Sequence, residues 1–158
     1  MVVDNKTYIA GWAGNNWGQG NWRAAIWEGN SAKSAKRLKN GNNSILMQQS
    51  GWPYDGAGRG MGYDKANNKF WIAGWTNWVN IGNWPSVWKV TPGGGNVVYD
   101  LVENEDGSKT GCEVDNLGNV LGKCEYGEVH DIAVHDGKTY AVGMPTGCHL
   151  YTTEADAE

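Results

Sequence analysis

The chain has a single Phe, an odd count of three Cys and no apolar run near the roughly 18 residues of a membrane-spanning helix. Membrane insertion by a helix is therefore not expected. Met1-Val2-Val3-Asp4 lacks the basic-then-apolar layout of a secretory leader, so no signal peptide is read in this segment. A surplus of basic charge is also missing. Thirteen Lys and Arg against seventeen Asp and Glu give a net charge of -4, which argues against a phosphate-binding surface and hence against nucleic acid. The one basic cluster, Lys33, Lys36, Arg37 and Lys39, reads as a solvated strand face. Long stretches of helix-favouring residues are absent, while 24 Gly in 158 residues imply many turns in one all-β domain.

What the chain has in abundance is tryptophan, and its placement is ordered. Thr7-Tyr8-Ile9-Ala10-Gly11-Trp12 is followed by Asn16-Trp17, Gly20-Asn21-Trp22 and Ala24-Ala25-Ile26-Trp27. Phe70-Trp71-Ile72-Ala73-Gly74-Trp75 is followed in the same order by Asn77-Trp78, Gly82-Asn83-Trp84 and Ser86-Val87-Trp88. Nine of the ten tryptophans fall in these two segments, so the chain contains a duplicated unit. An indole has a broad apolar face and one polar edge, and a cluster of them between Asn and Gly is costly to expose unless something covers it.

A third, weaker copy occurs at Asp136-Gly137-Lys138-Thr139-Tyr140-Ala141-Val142-Gly143, which matches Asp4 to Gly11 and Asn67 to Gly74. Gly11 and Gly74 are 63 residues apart and Gly74 and Gly143 are 69 apart, which predicts units over about 1–58, 59–127 and a partial 128–158. Each copy reads as a hairpin followed by further strands. Gly60 to Asp64 and Lys69 to Gly74 flank a turn at Lys65-Ala66-Asn67-Asn68, and His130 to His135 precedes a tight turn at Asp136-Gly137. Ser86 to Val90 ends at Thr91-Pro92-Gly93-Gly94-Gly95, and Asn96 to Val102 supplies a fourth strand; Ala35 to Lys39 is its counterpart in the first unit.

The hairpin Asp/Asn-Gly/Asn-Lys-x-aromatic-x-Ala/Val-Gly, followed by an x-Trp-Lys/Glu strand and a Gly/Pro turn, resembles the repeat of β-propeller proteins over most of the chain. The resemblance implies four-stranded antiparallel blades and carries over no functional residue. Two full units and part of a third are fewer than the typical four to eight blades or so, so closure by homo-oligomerisation is expected. Small Trp-rich propeller lectins are similar in being assembled from short chains of a few blades each. A β-trefoil or β-prism, with its three-fold repeat, is the alternative architecture.

Two functions compete for the tryptophans. Sugar rings pack a C–H face on indole, and Asn amides pair with hydroxyls as donor and acceptor. Trp12, Asn16, Trp17, Asn21 and Trp22, with Trp75, Asn77, Trp78, Asn83 and Trp84, therefore form a candidate glycan-binding set carried by duplicated loops. An extracellular or surface-associated setting accompanies that reading. Alternatively the same indoles pack against one another or form an assembly interface, since aromatics also dominate interface cores. Trp27, Trp71 and Trp88, inside strands, are expected in the core.

An enzyme is the third possibility, with Glu128-x-His130-Asp131-x-x-x-His135-Asp136 as its best constellation. Strand alternation separates Glu128 and His130 from Asp131 and His135, so the set converges only with a bulge and no metal site is expected. Glu103, Glu105 and Asp106 read as a solvated hairpin tip rather than a glycosidase pair. No phosphate-cradling Gly loop precedes a helix, so no cofactor is expected and the protein is read as a non-enzyme. Cys112 and Cys124 flank a hairpin-like segment and could meet across it, as a disulfide or as two reduced thiols, leaving Cys148 over.

Overall fold

The computed structural model describes residues 1–13, 23–40, 43–44, 46–47, 55–78, 82–92, 97–101, 127–145 and 150–154. These build an all-β protein of antiparallel sheets. The first sheet contains β1 (Val2–Val3), β2 (Lys6–Ala13), β3 (Arg23–Gly29) and β4 (Lys36–Arg37) in that order. A single 3₁₀ turn, Ala32–Ser34, links β3 to β4. Beyond it lie a small ribbon of β5 (Lys39–Asn40) and β6 (Asn43–Ser44), then β7 (Leu46–Met47), which pairs with the other end of β3. The run expected at Ala35 to Lys39 is thus interrupted. Leu38 leaves the ladder but still donates its N–H to the Ile26 carbonyl at 2.9 Å, and its side chain is buried.

The second sheet is a four-stranded meander of β8 (Asp55–Asp64), β9 (Lys69–Trp78), β10 (Gly82–Val90) and β11 (Val97–Leu101). The third contains β12 (Gly127–His135), β13 (Lys138–Pro145) and β14 (Leu150–Glu154). Turn chemistry fixes the hairpins. Asp64 is buried at the end of β8, where its Oδ1 accepts the N–H groups of Ala66 and Asn67 at 3.1 and 3.2 Å and its Oδ2 accepts the Asn67 amide at 2.7 Å. In the third sheet, Asp136 and Gly137 both take positive φ, 49° and 74°, the two-residue geometry that matches strand twist.

Side-chain alternation on β9 places its two faces against different sheets. Phe70 and Ile72, with Trp88 and Val90 of β10, pack on Tyr8, Ala24, Ile26 and Leu38 of the first unit. Trp71 and Ala73, with Val87, pack instead on Val129, Ile132 and Ala141 of the third sheet. The second sheet is therefore the middle layer, apolar on both sides. Lys89 adds a cation–π contact, with Nζ 5.0 Å from the centroid of Trp71, its cross-strand partner.

Two register shifts recur at equivalent places, one between Gly58 and Gly60 on β8 and one between Val129 and Asp131 on β12. They leave Arg59 and His130 as the extra residues, and a bulge re-aims the side chains around it. The neighbouring hairpin strand accommodates each bulge with glycine: a β-carbon at Gly74 would collide with the Ala57 carbonyl oxygen, and one at Gly143 with that of Glu128. This close approach explains the Gly that closes the Ala/Val-Gly motif in the second and third copies.

Candidate functional site

The polar residues that the fold gathers lie at the two bulges. Glu128, two residues before the bulged His130 on β12, stands where the third sheet meets the second. Asn83 of β10 donates from Nδ2 to Glu128 Oε1 at 2.5 Å. From β8, Arg59 Nη2 donates to Oε2 at 3.2 Å, and His130 Nε2 lies 3.6 Å from the same oxygen. The Glu128 side chain is 21% exposed while those of Arg59 and His130 are about half exposed, so the carboxylate is nested but within reach of a ligand. Its four lone-pair directions, the guanidinium fork and the carboxamide form a compact group of acceptors and donors.

Trp75 lies beside this cluster. It pairs across the ladder with Pro85, two residues from Asn83, on the face of the second sheet that looks toward the third. Its ring is partly exposed, whereas its indole N–H is buried and finds no acceptor among the described residues. Trp12, the corresponding residue of the first copy, is 44% exposed at the end of β2.

The other expected ligand-binding residues divide three ways. Asn77 and Trp78 belong to β9, and Asn83 and Trp84 to β10, so these four residues lie in paired strands and not in an open loop. Trp84 is corrected further: it is 0% exposed and sits in the core, opposite buried Thr76, because its strand position turns the indole inward. Asn16, Trp17, Asn21, Trp22, Cys112, Cys124, Cys148, Glu103, Glu105 and Asp106 lie outside the described residues.

The Glu128-to-Asp136 constellation splits along its strand. His130 does approach Glu128 at the bulge, but His135 pairs at 3.3 Å with Asp136 in an exposed turn at the far end of β12. Seven residues of strand separate the ends by about 20 Å. Asp131 is committed locally, its Oδ1 accepting the Ile132 N–H at 2.9 Å. Among the described residues, no group of three or more His, Cys, Asp or Glu is placed to hold a metal ion.

Sequence reasoning passed over Arg59 and the pairing of Asn83 with Glu128. A signal for Arg59 was present. It is the single charged residue between Gly56 and Gly62, and it occupies the position that His130 holds in the third copy. No protein-family model matches this chain, and no curated protein matches it.

Proposed function

We propose that this protein is a non-catalytic, lectin-like carbohydrate-binding module, built from propeller-blade-like units. The blade reading is supported by the face-to-face stacking of the sheets in sequence order and by the matched bulges on β8 and β12. The binding reading is carried by one observation: Asn83, Glu128 and Arg59 converge beside a partly exposed Trp75. Sugar recognition needs an indole face for ring C–H groups and a planar set of donors and acceptors for adjacent hydroxyls, and this corner supplies both. Trp12 offers a second indole in the first copy. Trp84 is not part of the ligand surface.

The test is a glycan array followed by calorimetric titration of the neutral saccharides that score. The wild type binds, and Glu128→Gln or Trp75→Ala weakens binding about tenfold or more, the equivalent of one lost charge-assisted hydrogen bond or stacking contact. A wild type that binds no glycan, or a Glu128→Gln protein that binds as well as wild type, defeats the reading.

A further inference from the structure

The same row of residues faces forward in all three copies. In the first it is Tyr8 and Ala10, which pack on the second sheet; in the second it is Trp71 and Ala73, which pack on the third. The equivalents in the third copy are Tyr140 and Val142, followed by Met144 at the Trp12 and Trp75 position. These three are 36%, 50% and 57% exposed, an apolar stripe at whose first two positions Tyr8, Trp71 and Ala73 are buried and Ala10 half-buried; at the third, Trp75 is half-buried and Trp12 exposed.

The reverse face shows the complementary pattern. Ile72 and Trp88, a cross-strand pair on the back of the second sheet, are wholly buried against the first unit. Their counterparts on the back of the first sheet, Ile9 and Trp27, form the same cross-strand pair and are only half buried. The geometry repeats in detail: a β-carbon on Gly74 would meet Trp88 Cζ3 at 3.0 Å, and one on Gly11 would meet Trp27 Cζ3 at 3.2 Å. Each indole thus lies over the motif glycine of its own sheet, forming a flat back surface.

From this continuity we propose that the Tyr140–Val142–Met144 face of one chain docks on the Ile9–Trp27 face of a second copy. The contact continues the front-to-back stacking already made twice within the chain, so the partner surface is one the protein itself carries. It is a heterologous, head-to-tail interface, which closes into a ring when the rotation between copies permits. Burying a polarizable Met and a Val against an indole is the same chemistry that joins the internal layers. The proposal does not depend on glycan binding.

Light scattering on size-exclusion fractions of the 158-residue chain, over a concentration series, tests it. The wild type runs as an oligomer, and Val142→Glu, at a half-exposed position where circular dichroism should be unchanged, runs as a monomer. Ile9→Lys spoils the opposite face. When each variant is folded but fails to self-assemble, mixing the two restores a one-to-one complex, because each retains the face the other has lost. A monomeric wild type at every concentration, an oligomer that survives Val142→Glu, or folded variants that do not complement overturns the interface.

Discussion

The Asn83 carboxamide donates to Glu128 at 2.5 Å, joining residues 45 positions apart and connecting the middle sheet to the third. The bond is part-buried, and Glu128 also holds Arg59 from the neighbouring strand. One carboxylate thus ties two bulged strands and β10 together while leaving an edge accessible.

Asn83→Ala and Glu128→Ala are each expected to lower stability by about 1–2 kcal/mol, the range for a hydrogen bond to a charged group after discounting partial exposure. The double variant should cost less than the sum of the two singles. Chemical denaturation of all four proteins in the cycle measures that coupling, and strict additivity would show that the two residues act independently.

The buried and exposed tryptophans should separate cleanly. Trp84→Ala and Trp88→Ala each remove a wholly buried indole and should destabilise by about 3–5 kcal/mol. Trp12→Ala, at 44% exposure, should change the melting temperature little. Thermal melts distinguish these outcomes, and a loss at Trp12 as large as that at Trp84 would overturn the separation.

Gly60 permits β8 to pass close to β12, since a β-carbon there would lie 2.5 Å from the Asp131 α-carbon. Gly60→Ala should therefore cost about 1–3 kcal/mol by forcing the sheets apart. Gly137→Ala meets no neighbour within 4 Å and pays only for its positive φ, so the loss should be nearer 1 kcal/mol. Urea midpoints of the two variants rank the effects.

Tyr8 reports on the first core. Burial, then the adjacent Glu28 carboxylate, push its phenol up from 10.0 to about 12. Below pH 10 the phenol is neutral in both folded and unfolded chains, so its contribution to stability is fully present there. Between about pH 10 and 12 the unfolded chain ionises first, and stability falls as pH rises. Tyr8→Phe should remove that part of the alkaline decline, which denaturation at graded pH would detect.

The hairpins were legible because their causes are local. Lys65 to Asn68 and Asp136-Gly137 carry their own turn chemistry, and β9, β10 and β13 contain the repeated motifs in register. The open-loop reading of the second Trp segment failed for a physical reason. Gly and Asn between aromatics look like loop composition, but Gly82 and Asn83 lie within a ladder opposite Trp78 and Asn77. Pairing with an existing strand outweighed their weak intrinsic preference for one.

By itself, the sequence determined the all-β class, the repeat and the strand-by-strand alternation, since each follows from neighbours along the chain. Only the tertiary structure decided which indoles are covered and which polar groups meet. Arg59 and Glu128 are 69 residues apart, and neither lies near the other in any local pattern. They meet because two sheets stack face to face and a bulge in β8 and another in β12 turn side chains toward the junction; such a meeting is a property of packed layers, not of any one strand.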